Sequence, residues 1–188
     1  MNTLTKDYLA GIIESRCHTL QGKDAMNAVT DLVNIVQASI FKREVIYIPK
    51  VCRISVSLKS ERIGRNPKTL EPAVISARHA VTTGIIGNIV QSGKLIKSAL
   101  ISRLIDVEYS CKQATEITEA FYFMVEKVQS GDFRIEIRGL GVFYPRIYKS
   151  GTKRNPRTGE SIQAEERVIV AFKCSPSLRK ALDREYLY

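Results

Sequence analysis

The chain repeats itself. Displacing it by 89 residues lays Arg65-Asn66-Pro67 on Arg154-Asn155-Pro156, Thr69 on Thr158, Glu71 on Glu160, Arg78 on Arg167 and Val81 on Val170. Upstream, the same displacement lays Ala25 on Ala114, Leu32 on Phe121, Val36 on Val125, Ile46 on Ile135 and Ile48 on Ile137. One offset held over such a stretch points to duplication, which restricts the chain to folds that use one small set of elements twice. The 188 residues then divide into units 1–93 and 94–188, each within the roughly 50–250 residues typical of a domain.

Each unit carries the same order of signals. Leu9, Ile12 and Ile13, then Ala25, Val29, Leu32, Val36 and Ile40, recur at three- and four-residue spacing. Leu100, Ile101, Leu104 and Ile105, then Ala114, Ile117, Phe121, Val125 and Val128, do the same. Such stripes bury one face of a helix. Ser110, with Gln113 three residues on, has the spacing of a capping box. The period then falls to two at Val45–Ile48 and at Phe133–Arg138, which predicts strands. A turn at Asn66-Pro67, or Asn155-Pro156, sends a strand back. The second unit ends in a helix signal: Ser175 as cap, Pro176 at the first position, and Leu178, Ala181 and Leu182 as apolar edge. In the first unit, glycines break the corresponding stretch, so residues about 84–96 are read as a shortened final element plus the connector. The class is α+β.

Composition narrows the partners. The net charge of +10 and pI near 9.6 favour a polyanion, with nucleic acid the leading expectation. Cys17, Cys52, Cys111 and Cys174 form no Cys-x-x-Cys pair, so free, buried thiols are expected rather than a metal site or disulfides. His18 adjoins Cys17, but sequence adjacency does not make a catalytic dyad. With no phosphate loop or paired carboxylates, no catalytic, cofactor or metal site is expected. No apolar run approaches the roughly 20 residues of a membrane span. The opening residues lack the basic-then-apolar pattern of a signal peptide, so a cytoplasmic location is expected.

Two helices, a strand meander, an Arg-Asn-Pro-x-Thr-Gly-Glu tip and a short final helix together resemble the HU/IHF family of bacterial histone-like proteins. Arg154–Glu160 reproduces the tip pattern, Arg138-Gly139-Leu140-Gly141-Val142-Phe143 resembles the family's glycine turn, and Val170-Ala171-Phe172-Lys173 resembles the lead into its last helix. The resemblance implies an intertwined pseudo-dimer with a helical body and two β-ribbon arms, made by a single chain acting as a monomer. It also implies a nucleoid-associated protein whose arms wrap the minor groove of double-stranded DNA, with the tip prolines Pro67 and Pro156 inserted between base pairs.

The arms supply cations for the phosphates. The first offers Lys59, Arg62, Arg65, Lys68 and Arg78, with Asn66 at its tip. The second offers Arg146, Lys149, Lys153, Arg154, Arg157, Arg167 and Lys173, with Asn155 at its tip. Asn-Pro is also an ordinary turn former, and a basic hairpin is also a solvated edge that resists aggregation. The first unit departs from the pattern: Leu70 stands where the second has Gly159, Pro72 lacks a ladder donor, and Lys50-Val51-Cys52-Arg53 replaces the glycine turn. If the tip requires positive φ, leucine fits it badly, so a differently turned or less ordered first arm is expected. These departures leave open an alternative in which the fold serves as a protein-interaction module with weak residual DNA binding.

Overall fold

The computed structural model describes residues 1–84 and 93–184. Its first part runs β1 (Asn2–Leu4), α1 (Lys6–Arg16), α2 (Lys23–Phe41), β2 (Val45–Ile48), β3 (Cys52–Lys59), β4 (Arg62–Arg65), β5 (Pro72–Ile75) and β6 (Arg78–Gly84). The second runs β7 (Lys94–Leu95), α3 (Lys97–Ile105), α4 (Cys111–Glu126), a 3₁₀ turn (Lys127–Ser130), β8 (Phe133–Ile137), β9 (Gly141–Tyr148), β10 (Gly151–Arg154), β11 (Ser161–Ala164), β12 (Arg167–Cys174) and α5 (Pro176–Arg184).

The helical stripes form the core as their spacing requires, except that Ile12 and Ile101 are half-buried and Ile105, the last residue of α3, is exposed. Ala25, Val29, Leu32, Val36 and Ile40 on α2 and Ala114, Ile117, Phe121 and Val125 on α4 are all buried. The capping box forms: the Gln113 N–H donates to Ser110 Oγ, and the Ser110 N–H donates to Gln113 Oε1. Ser175 caps α5, its Oγ accepting from the Leu178 N–H while donating to the Gly139 carbonyl. The first helices depart from the offset of 89. Leu9 and Ile13 correspond to Leu100 and Leu104, all four buried, so the second unit uses two residues fewer between its first core leucine and Ala114.

Neither unit completes its own sheet. The two larger sheets have the orders β1-β8-β9-β12 and β6-β3-β2-β7. β1 therefore lies parallel on β8, with Leu4 opposite Ile135, and β7 lies parallel on β2, with Leu95 opposite Ile46. The first strand of each unit is an edge strand of the other unit's sheet. The sheets meet where the Phe172 N–H donates to Thr83 Oγ1 at 2.7 Å and that hydroxyl donates to the Phe172 carbonyl at 3.3 Å. Thr83 and Phe172 are equivalent under the repeat, so the pseudo-two-fold axis passes between them. α5, from the second unit, reaches β6 of the first: Asp183 Oδ1 accepts from the His79 N–H.

Further polar contacts between the units are made by Arg103 on α3 and by Tyr109 just beyond it. The Arg103 guanidinium grips Glu44 with two bonds, of 2.7 and 2.8 Å, and donates to Ser39 Oγ. Tyr109 Oη donates to Asp31 Oδ2 at 2.8 Å. The repeat places Phe133 and Val128 where Glu44 and Ser39 stand, so the clamp occurs on one side of the axis only.

Two sequence expectations change. Of the free thiols, Cys17 and Cys52 are buried, whereas Cys111 is exposed and Cys174 half-buried. Sequence spacing shows that cysteines are unpaired, not how far each is covered. Burial pushes the Cys52 thiol up to about 12. In the connector expected over 84–96, Gly84 closes β6 and Lys94–Leu95 is strand β7; residues 85–92, where the shortened element was expected, lie outside the described residues. No helix among the described residues is long and apolar enough to cross a membrane.

The hydrogen bond from Arg103, the largest influence, holds the Glu44 carboxyl below its ordinary 4.5, with burial opposing. A depressed carboxyl stabilises the fold above its unfolded value and loses that contribution as pH falls through the folded one. Arg103→Ala is expected to lower the unfolding free energy by about 2 kcal/mol at neutral pH, read by urea denaturation. In Glu44→Gln, the part of the acid-induced stability loss that sets in below pH 4.5 should shrink.

Candidate nucleic-acid interface

In each sheet, the strand pair farthest from the exchanged edge strand continues outward as an arm. β3 and β6 pair from Arg53↔Gly84 to Lys59↔Arg78, and β4 and β5 carry the ribbon on from Arg62↔Ile75 to Arg65↔Pro72. β9 with β12, and β10 with β11, repeat the arrangement from Gly141↔Cys174 out to Arg154↔Ser161. The tips close with the same bonds. In one, Asn66 N donates to the Glu71 carbonyl, Leu70 N to the Asn66 carbonyl, and Lys68 N to Asn66 Oδ1. In the other, Asn155 N, Gly159 N and Arg157 N make the matching bonds to Glu160, Asn155 and Asn155 Oδ1. Pro67 and Pro156 are exposed at matched points of these loops.

The expectation that the first arm turns differently is therefore overturned. Leu70 takes φ +58°, in the region where Gly159 has φ +77°. The tip's hydrogen bonds hold the leucine there against the clash of its Cβ, which costs roughly 1–2 kcal/mol. Lys50 likewise adopts φ +62° where Gly139 has +88°, so the replaced turn keeps that left-handed residue, although Cys52 does not share the φ of +149° at Gly141. Pro72 loses nothing either. Asn66 and Glu71 form a bonded pair, so the next pair, Arg65 and Pro72, falls at a non-hydrogen-bonded position of the antiparallel ladder.

Strand alternation sorts the side chains. Ile54, Val56, Phe143, Val170 and Phe172 face the core, so their neighbours face away from the helices. That outer face carries Lys59 and Arg78, which are paired with each other, and Arg146, Arg167 and Lys173. Arg62 and Arg65 lie on β4, Lys153 and Arg154 on β10, Lys149 between β9 and β10, and Asn66, Lys68, Asn155 and Arg157 at the tips. One placement needs correction. Lys173 lies opposite Val142, near the root of β12, on the floor between the arms rather than on the second arm.

The sequence reading missed Arg53, Tyr144 and Tyr148, which the same alternation puts on the outer face. Tyr148 gathers cations: its ring centroid lies 5.1 Å from Arg146, 5.3 Å from Arg167 and 5.7 Å from Lys153. Alternation alone places Tyr148 beside these cations, but a phosphate-binding pattern is carried by charges, and the ring that organises three of them bears none.

The family whose description is Bacterial DNA-binding protein matches this sequence twice, over residues 4–84 and 95–183. The chain belongs to that family. This bacterial DNA-binding protein carries two family units in tandem. It is similar to integration host factor subunit beta of Dichelobacter nodosus, 35% identical over 95 residues, which is 48% of this chain and 97% of the relative. It is also similar to integration host factor subunit alpha of Anaeromyxobacter sp. (strain K), 37% identical over 79 residues, covering 42% and 70%. A solved chain, from an Anabaena HU–DNA cocrystal, overlaps with TM-score 0.40 and 23% identity, over 46% of this chain and 96% of that one, too loosely to carry weight. The family comprises histone-like, nucleoid-associated DNA-binding proteins, not enzymes.

The charge of this bacterial DNA-binding protein is concentrated on the arms and the sheet strands that carry them. Residues 53–84 hold six basic and two acidic side chains and residues 141–174 hold seven and three, together +8 of the net +10. Among the described residues, ion pairs involve the helical body and the edge of its sheets, such as Arg103–Glu44, Lys97–Glu119 and Arg134–Glu136. None involves an arm cation. Arg154 is fixed instead by donating to the Gly159 carbonyl. Removing the strain at the first tip is expected to raise stability: Leu70→Gly should add up to about 1 kcal/mol in urea unfolding, the relief being partly offset by glycine's greater unfolded-state entropy. Gly159→Leu should cost a similar amount.

Proposed function

We propose that this chain is an architectural protein that bends duplex DNA by laying its two arms in the minor groove and wedging Pro67 and Pro156 into base steps. The supporting observation is the pair of tips closed by matching bonds, each presenting an exposed proline on an arm of net positive charge. A proline ring suits a wedge because it is rigid, apolar and has no N–H to desolvate. Unstacking a step costs a few kcal/mol, and smooth bending by 40–90° costs about 1–6 kcal/mol. Phosphate contacts offset this through counterion release, with a slope of log affinity on log salt of about −0.9 per phosphate.

In this reading Lys59, Arg62, Arg65, Asn66, Lys68 and Arg78 from the first arm contact DNA. Arg146, Lys149, Lys153, Arg154, Asn155, Arg157 and Arg167 do so from the second, and Lys173 from the floor. Units 1–93 and 94–188 act together in a monomer that serves as an intramolecular pseudo-dimer in the bacterial nucleoid, in the cytoplasm. Covalent linkage keeps the partner unit at an effective concentration on the order of millimolar.

A ring-closure assay on short duplex, run beside a gel shift, tests the wedge. Pro67→Ala with Pro156→Ala should reduce circularisation by about tenfold or more while affinity falls less, because the substitution removes the unstacking contact and leaves the phosphate contacts. Undiminished circularisation by the double variant would refute it.

A further inference from the structure

At the base of the first arm, a cleft of about 450 Å³ is lined by Lys59, Ser60, Arg62, Ser76 and Arg78 among others. Its lining contains three cations, two hydroxyls and no carboxylate. Lys59 and Arg78 are direct cross-strand partners, an arrangement of like charges that destabilises a sheet unless an anion comes between them. No ion pair engages Lys59, Arg62 or Arg78 among the described residues. Glu61 is nearby in sequence but does not line the cleft.

The matching place on the second arm differs. The repeat puts Glu165 and Glu166 where the first arm has Ser76 and Ala77, and the cleft there, about 370 Å³, is lined by both carboxylates with Lys153 and Arg167. Arg167 faces Tyr148 rather than a second cation. Lys153 shares the same ring. The cations of the second base are thus held by a π face and countered by two acids, whereas those of the first are uncompensated.

We propose that the cleft at the base of the first arm is a clamp for a backbone phosphodiester, and that Glu165 and Glu166 weaken the corresponding clamp on the second arm. The two arms then grip DNA unequally, and the arm with the diverged tip holds the backbone harder. This rests on the reading of the arms as DNA-binding and names the residues that make them unequal.

The test uses the full chain and a short duplex titrated across a range of salt. Ser76→Glu with Ala77→Glu should lower affinity about tenfold near 0.15 M salt and make the salt slope shallower by about 1, the signature of one lost phosphate. Glu165→Ser with Glu166→Ala should raise affinity and steepen the slope. Combining all four changes restores the net charge and should return affinity to within about threefold of the unmodified chain. Asn27→Asp with Asn34→Asp, exposed on α2, imposes the same charge change as the first pair at the body and should alter affinity less than about threefold. If S76E/A77E matches N27D/N34D, the effect is one of total charge and this inference falls while DNA binding stands. If the unmodified chain binds no duplex, both fall.

Discussion

The exchange of edge strands is the constraint on which the rest depends. Leu4 is sealed beneath the second unit's sheet and Leu95 beneath the first's. Removing either strand would expose a row of unpaired backbone groups and a buried leucine, and a bare sheet edge invites pairing with another chain. Because each unit finishes the other's sheet, the units cannot separate without both losing an edge. The arms project from the β3–β6 and β9–β12 pairs at the opposite side of each sheet, and their relative placement follows from this interlock and from the Thr83–Phe172 junction at the pseudo-two-fold axis.

Duplication gives symmetry to the backbone, while divergence of the side chains removes it. The second unit has an aromatic column of Phe121, Phe143 and Phe172, with the last two ring centroids 4.7 Å apart, where the repeat places Leu32, Ile54 and Thr83 in the first. The clamp of Arg103 on Glu44 has no counterpart across the axis. Both tips nevertheless close alike, although one must force a leucine into left-handed backbone. The closing bonds of the loop outweigh that local penalty. Asymmetry therefore resides in the chemistry the arms present, not in how they are folded.

Much of this was legible in the sequence, for reasons that differ by element. Helix stripes such as Leu32 and Val36, the Ser110–Gln113 box and the Ser175 cap are local patterns, and local geometry enforces them. The tandem organisation was visible because the tip motif occurs twice at one offset. The edge exchange was not, since β1 and β7 are three and two residues long and find partners far along the chain. Leu70 misled because propensity disfavours positive φ while the surrounding hydrogen bonds dictate it. The Tyr148 cluster was hidden because it joins residues from three strands, and the placement of Lys173 was missed because arm and floor share one continuous strand.

The central claim is that one chain supplies both halves of a single interlocked DNA-binding body. The most direct measurement is the mass of the protein free and on a short duplex, by sedimentation across a wide concentration range. A species of 21.1 kDa is expected throughout, with one chain per bound duplex carrying both arms. A free mass of twice that value at all concentrations, or two chains required for each duplex, would contradict it.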